Sequence, residues 1–405
     1  MSIRIAVVVV ALGLVTPRLQ GSPPGWSAVV DGYRTAVEKS GIAGSSLMVV
    51  RDGQVIARHN QGFQNLDPRE PVTNDTIFHW ASITKTFTGI AIMQLRDRGL
   101  LSLDDPVVKY VPELRLAHNP FGDIGQVKIR HLMSHSAGFR ASTWPWGGDQ
   151  AWHPFEPSSW EQLTAMLPYT DVQFAPGSNY RYSNPGVIFL GRIIQLLSGE
   201  DYEVYVSKNI LMPLGMRTSF FDRAPYYLLP RRSHSYLRDD TGRREARFDF
   251  DSGITVSNGG LNAPFDDMAR YLVFLIGTAE GHPDHRLHDT VLRRGSLEEM
   301  WTPQIRAIEG EGVSGSDSHA GLSFFLERHP RDPRGSPGAG AGIELVGHSG
   351  DQNGFISHLY LHRPSHTAYL VSFNTDSTAA KDGTRPSTRQ VDATVRELML
   401  THVLR

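Results

Sequence analysis

Between Thr76 and Gly99 the chain carries a helical stretch with almost no polar face. Ile83, Phe87, Ile90, Ala91 and Leu95 recur at helical spacing, and Ile92 and Met93 fill the other sides. A helix that is apolar nearly all round is a buried one. The rest of the chain must therefore wrap it. With 405 residues, 40% hydrophobic and 20% charged, there is enough ordinary globular material to do so. That length allows two or three domains, or one large two-lobed one.

The first turn of this helix holds Ser82 and, three residues on, Lys85. Residues at that spacing share a helix face, so the lysine amine can reach the serine hydroxyl. Serine is a weak nucleophile until a base stands beside it. Lysine can be that base where desolvation or a neighbouring cation lowers its pKa, and a buried helix start supplies the desolvation. Free N–H groups at such a start can also stabilise an oxyanion. Ser-x-x-Lys alone is common, and its plain reading is a capping serine with a solvated lysine. The apolar setting argues against that reading.

The formal net charge of −2 gives no reason to expect nucleic acid or an anionic membrane surface as partner. The absence of cysteine excludes disulfides, thiolate metal sites and a cysteine nucleophile. Met1-Ser2-Ile3-Arg4 followed by the apolar run Ile5–Val15, too short to span a bilayer comfortably, reads as a secretory signal over residues 1–22, with a retained membrane anchor as the alternative. The expectation is an exported protein, periplasmic or secreted, without a membrane association once the signal is removed.

Trp26–Lys39 has helical periodicity. Gly44–Val50 and Gln54–His59 flank Arg51-Asp52-Gly53 as a hairpin. Phe63–Asn74 is turn-rich, and Leu101–Leu114 reads as a short helix with proline stops. His131 and His135 sit four apart, the spacing of a helical zinc pair, but Leu132 stands where a metalloprotease signature needs glutamate. Two packed or hydrogen-bonded histidines at a helix end is the better reading. His282, His285 and His288 lie in a polar Pro/Gly stretch and make no stronger metal case. No metal or cofactor is expected.

Trp144–Trp160 holds four of the seven tryptophans, Trp144, Trp146, Trp152 and Trp160, and reads as a long loop that packs on itself or walls a cleft. Tyr182 and Asn184 precede an apolar helix, Val187–Leu197. Helical patterns follow at Tyr202–Leu211 and Asp266–Leu275, with Tyr226–Asp249 strand-like in places. Pro330–Gly342 must be a loop. Ile343–Val346, Gly354–Leu361 and His366–Asn374 read as strands, and Val391–Leu404 as a closing helix. Taken alone, His348-Ser349-Gly350-Asp351 is a plain turn. Strands at both chain ends with helices between them point to an α+β fold: an antiparallel sheet built from both ends, flanked by helices, with a mostly helical insertion.

Ser82-x-x-Lys85, Tyr182-x-Asn184 and His348-Ser349-Gly350, in that order, resemble the motifs of the serine β-lactamase and penicillin-binding-protein superfamily, and most closely its class C and esterase-type branch. Leu132–Phe139 and Ser257-Asn258-Gly259-Gly260-Leu261, ahead of a helix holding Asp266 and Asp267, fit the same pattern. The resemblance covers roughly Trp26 to Leu404. It implies a single β-lactamase/transpeptidase-like domain over 25–405, with an α/β lobe from about 25–85 and 300–405, a helical lobe from about 86–299, and the site between them. It further implies that Ser82 is the nucleophile, that Lys85 helps activate it, and that Tyr182 shuttles protons as base. Asn184 would contact the substrate amide or ester. His348, Ser349 and Gly350 would lie on an edge strand lining the cleft, and the backbone N–H groups of Ser82 and Asp351 would form the oxyanion hole.

His348 departs from the lysine usual in relatives acting on C-terminal carboxylates. Lysine is a fixed cation, whereas histidine is mostly neutral at pH 7. A neutral imidazole holds a substrate carboxylate weakly, and Asp351 alongside would repel one. The expected partner is therefore a small ester, amide or peptide, with esters or D-amino-acyl amides favoured over β-lactams. A β-lactamase or DD-peptidase, and a non-catalytic penicillin-sensing module, are the alternatives.

Overall fold

The computed structural model describes residues 22–142, 157–246, 253–278, 290–308, 317–329 and 342–404. The N-terminal segment 1–22 lies outside them up to residue 21, as do Trp144, Trp146, Trp152, the three histidines at 282–288 and most of Pro330–Gly342.

Helix α1 (Trp26–Ser40) ends at Gly41 in a left-handed backbone, the usual way to stop a helix. Strands β1 (Gly44–Arg51) and β2 (Gln54–Leu66) follow as the expected hairpin. Asp52 and Gly53 both have positive φ, as a two-residue turn that matches strand twist requires. β2 runs on to pair with β3 (Arg69–Pro71), so about half of the stretch expected as turns is strand. The residues there are polar, as the buried Gln64 and Asn65 are, or no more than partly buried, and their pairing leaves little mark in hydrophobic pattern.

Next come β4 (Ile77–His79) and the buried helix α2 (Thr84–Asp97), every residue of which from Thr84 to Leu95 is buried. Leu101–Leu114 forms two separate 3₁₀ turns, Val107–Lys109 and Pro112–Leu116, rather than one helix. Pro112 has no N–H to continue a preceding turn. The helical part goes on with α3 (Asn184–Ser198), β5 (Phe220–Phe221), β6 (Tyr236–Asp239), β7 (Gly242–Glu245), β8 (Leu261–Pro264) and α4 (Phe265–Ile276).

The chain then returns to the sheet with β9 (Ile305–Arg306), β10 (Asp317–Ala320), β11 (Phe325–His329), β12 (Ile343–Gln352), β13 (Phe355–His362) and β14 (Thr367–Phe373), and ends with β15 (Thr375–Ser377) and α5 (Thr388–His402). The nine-stranded sheet has the order β3-β2-β1-β14-β13-β12-β11-β10-β9. The first strand of this sheet in chain order and its last thus meet in its middle, where β1 pairs antiparallel with β14. Small sheets β4-β8-β5 and β15-β6-β7 complete the strands.

Side-chain alternation gives each central strand two buried faces. Leu47 and Val49 of β1 face α1 and α5 together with Leu345, Tyr360 and Val371. Met48 and Val50 face the larger core with Phe87, Leu359 and Leu370. That second core surrounds α2, and the N-terminal end of α2 emerges beside β12.

Candidate active site

Trp80 anchors the turn that presents Ser82. Its indole donates to the Ala263 carbonyl and its backbone N–H to the Leu261 carbonyl, each at 2.9 Å. Leu261 donates in turn to the Thr84 hydroxyl at 3.0 Å. Residues 81–83 form a single 3₁₀ turn ahead of α2, with Ala81 in the left-handed region at φ 45°. A non-glycine residue there is strained, and only rigid surroundings sustain it. The expected i to i+3 relation holds across this junction. The Lys85 amine donates to Ser82 Oγ at 2.9 Å and to the Asn258 carbonyl at 2.8 Å. Lys85 is 1% exposed, and Ser82 is half-buried.

Tyr182 closes the site from the helical side. Its hydroxyl and that of Ser82 hydrogen-bond each other. The Lys85 amine stands 5.0 Å from the centre of its ring. Burial raises the phenol well above its ordinary pKa, with the Asp351 charge adding to the effect and the Ser82 hydrogen bond opposing it. At neutral pH Tyr182 is a neutral phenol. The next residue, Ser183, caps α3 by accepting from Gly186 at 3.1 Å. Asn184 is the first residue of that helix. Its N–H donates to the Ala141 carbonyl at 3.1 Å, and its side-chain oxygen is buried without a hydrogen-bond partner among the described residues.

The third wall is β12. The tetrapeptide His348–Asp351 is strand, not turn, and β12 is not an edge of the sheet, because β11, β10 and β9 continue beyond it. The pairing is local, however. β11 meets β12 only up to Gly347, so among the described residues 348–352 have β13 on one side and no strand on the other. Gly350 passes directly against the Trp80 backbone, where a Cβ would overlap the Trp80 carbonyl oxygen.

Alternation places His348 and Gly350 on the Ser82 side, and Ser349 and Asp351 on the face covered by α5. The cross-strand partner of Ser349 is His358, whose Nδ1 contacts the Asp392 carboxylate of α5. The Asp351 carboxylate ion-pairs with Arg389 of α5. It is therefore not a free anion beside the imidazole, and the repulsion expected of it is largely neutralised.

His348 is 2% exposed and packs 5.0 Å from Phe325 and 6.3 Å from Tyr182, centre to centre. Nδ1 lies 2.6 Å from the Ser349 carbonyl, and Nε2 is buried without a hydrogen-bond partner among the described residues. Burial, reinforced by the Lys85 charge, pushes its pKa down to about 3. The imidazole is neutral at physiological pH and sits beneath the site surface.

The structure thus brings Ser82, Lys85, Tyr182, His348 and Gly350 together, with Asn184 at the adjoining helix start. The side chains of Ser349 and Asp351 fall on the far face of their strand. The sequence pattern included Asn258 in the segment Ser257–Leu261 without giving its carbonyl a role, and it did not single out Phe325, whose signal is purely spatial. His131 and His135 each accept a hydrogen bond of their own. His131 Nδ1 accepts from its own cap residue Lys128 at 3.2 Å, and His135 Nδ1 from Ser183 at 3.1 Å. Among the described residues no three metal-ligating side chains cluster, and no helix is long and apolar enough to cross a membrane. Of the aromatic loop, Trp160 is described. Its indole donates to Glu113 at 3.2 Å, and its ring meets Phe189 of α3 edge-on.

The sequence model of the family described as Beta-lactamase matches residues 29–393. The protein described as Protein flp of Staphylococcus aureus is 28% identical over 190 residues, 47% of this chain and 37% of that protein. Esterase EstB of Burkholderia gladioli is 29% identical over 198 residues, 47% of this chain and 50% of that protein. The matched stretches thus span half or less of these curated relatives. Among solved structures, the octameric penicillin-binding protein homologue from Pyrococcus abyssi superposes with a TM-score of 0.72 at 27% identity, covering 93% of this chain and 77% of that one.

Proposed function

The chain belongs to the Beta-lactamase family of serine hydrolases, and from that premise we propose that it hydrolyses small esters or D-amino-acyl amides through an acyl-enzyme on Ser82. The observation that carries this reading is the contact of the buried Lys85 amine with Ser82 Oγ at 2.9 Å, with the Tyr182 hydroxyl on the same oxygen. Nucleophile, base and relay are within hydrogen-bond reach, the geometric requirement for covalent catalysis.

In acylation the uncharged form of Lys85 acts as base: Ser82 Oγ bonds to the substrate carbonyl carbon as its proton passes to the Lys85 amine. The carbonyl oxygen becomes an oxyanion facing the backbone N–H groups of Ser82 and Asp351. The bond to the leaving group then breaks, and the Tyr182 hydroxyl hands that group a proton while Lys85 restores the phenol. In deacylation a water takes the place of the leaving group and the same protons run back. Because its phenol is held neutral, Tyr182 acts as a relay here rather than as a standing phenolate. Asn184 is placed to hold the substrate amide or ester.

The preference for substrates without a carboxylate rests on His348, neutral where a lysine would be charged. We place the site between an α/β lobe of about 25–85 and 300–405 and a helical lobe of about 86–299. The basic and apolar start of the sequence supports export. The test is one panel of p-nitrophenyl esters, D-amino-acid anilides and nitrocefin, run on the wild type and Ser82→Ala. Ester or anilide turnover that vanishes in Ser82→Ala is expected. Nitrocefin as the best substrate would overturn the substrate class, and undiminished turnover by Ser82→Ala would overturn the mechanism.

A further inference from the structure

We infer that His135 is the positioning residue for Tyr182, gripping the chain on both sides of it. The His135 carbonyl accepts from the Arg181 N–H at 2.9 Å, and its Nδ1 accepts from the Ser183 N–H at 3.1 Å. The Tyr180–Arg181 and Tyr182–Ser183 peptide units, which bracket Arg181 and Tyr182, are thereby tied to one residue. The His135 ring also lies over the Tyr182 ring, 4.5 Å between centres at an angle of 30°. These are the backbone and the ring of the group taken above as the proton relay, and the inference rests on that reading.

Three further features fit this role better than that of a core histidine. His135 is 3% exposed and adopts φ 56°, the left-handed region that a non-glycine residue enters only under constraint. That conformation lets its carbonyl and its Nδ1 serve the same passing strand of chain. Its outer neighbour is Phe325, parallel to it within 13° at 6.0 Å, so the ring is itself fixed by the sheet. The turn just before it is tied to the same region, because Ser323 donates to the Met133 carbonyl at 2.7 Å. Helical part and sheet are thus both referenced through His135 to Tyr182.

The hydrogen bond from Ser183 also sets the tautomer: Nδ1 must carry the lone pair, and the proton sits on Nε2. Burial, aided by the Lys85 charge, holds the ring well below the ordinary histidine pKa and keeps it neutral. A loss of this grip would let the relay drift, and a displacement of about 1 Å at a reacting group can lower turnover about a hundredfold.

The experiment compares His135→Asn, His135→Gly and Tyr182→Phe for kcat and KM on a p-nitrophenyl ester, per active site titrated with a serine-reactive phosphonate. Asparagine accepts the left-handed backbone, and its Oδ1 takes the place of Nδ1. Glycine accepts the same backbone and keeps no acceptor. His135→Asn should retain kcat within tenfold, whereas His135→Gly should lose about a hundredfold in kcat with KM changed less than threefold. Melting temperatures show whether each variant is folded. Equal losses in the two variants, a loss carried by KM alone, or a His135→Asn protein that does not fold would each overturn the inference, since asparagine preserves the contact invoked. If His135→Gly does not fold while His135→Asn does, His135→Gln decides in its place. Its amide reaches the Nε2 position rather than Nδ1, so a kcat like that of His135→Asn would overturn the inference. Full activity in Tyr182→Phe would instead overturn the reading of Tyr182 itself.

Discussion

At the scale of single residues, Lys85 and Tyr182 are polar groups that the core has stripped of water and then supplied with partners. Lys85 has Ser82 and the Asn258 carbonyl, and Tyr182 has Ser82. Ser82→Ala should therefore abolish ester turnover and covalent labelling by a serine-reactive phosphonate while leaving the melting temperature within a few degrees. Lys85→Ala and Tyr182→Phe should each lower kcat about a hundredfold or more, the scale of a positioned proton-transfer group. Because both act on one oxygen, the double variant should lose far less than the product of the two, which steady-state kinetics on all four proteins will show.

His348 gives a different kind of prediction. His348→Lys puts a cation beside Lys85 in a place where the imidazole is neutral, and an unpaired buried charge costs on the order of 3 kcal/mol. Chemical denaturation should show that loss. In compensation, the ratio of kcat/KM for nitrocefin over a p-nitrophenyl ester should rise about tenfold, equivalent to about 1.4 kcal/mol of added carboxylate binding. Adding Asp351→Ser should change that ratio little, since Arg389 already pairs with Asp351. A flat ratio in His348→Lys would remove His348 as the discriminator.

At the scale of elements, the decisive contact is the 3₁₀ turn at Ala81–Ile83 laid against β12. It depends on Gly350 having no side chain, because a Cβ there would run into the Trp80 carbonyl. Gly350→Ala should force strand and turn apart, with a loss of about 1–3 kcal/mol in stability as for other overpacked sites, and a fall in kcat of at least tenfold. Gly295 provides the contrast. It lies in the helix Arg294–Met300, with nothing within 4 Å of the place its Cβ would take. Gly295→Ala should be neutral in activity and stabilising by up to about 1 kcal/mol. Melting curves and ester kinetics on the pair separate a steric effect at the site from a general intolerance of glycine replacement.

At the scale of the whole molecule, the feature with the widest consequence is the burial of neutral histidines around the site. Burial pushes His79, held between Asn262 and Gln352, down to about 3, as it does His348. Both histidines bind a proton near pH 6.5 when unfolded and resist it when folded. Their contribution is therefore fully present above pH 6.5 and is lost as pH falls from there towards 3. At pH 5 each should remove about 2 kcal/mol, so the two together remove about 4 kcal/mol, a large part of a typical domain's stability. Denaturant midpoints should fall steeply between pH 7.5 and pH 5. A flat profile over that range would mean that water reaches these rings in the folded protein.

The sequence alone determined the parts whose cause is local. The apolar wrap of Ile83–Leu95 dictates burial, Asp52-Gly53 dictates a hairpin turn, and the one-turn offset of Ser82 and Lys85 brings amine and hydroxyl together, because each follows from periodicity or backbone stereochemistry within a few residues. Tertiary structure alone decided what depends on neighbours distant in the chain. The β10–β11 hairpin covers β12 as far as Gly347 and stops, which no pattern in residues 343–352 records. The α5 helix claims Asp351 through Arg389, 38 residues away, and turns an expected repulsive charge into an ion pair. His135 reads in one dimension as one of two packed or hydrogen-bonded histidines at a helix end. Only when Arg181, Ser183 and Phe325 fold against it does it become the clamp on Tyr182, because a hydrogen bond needs its partner within about 3 Å in space, whatever the separation in sequence.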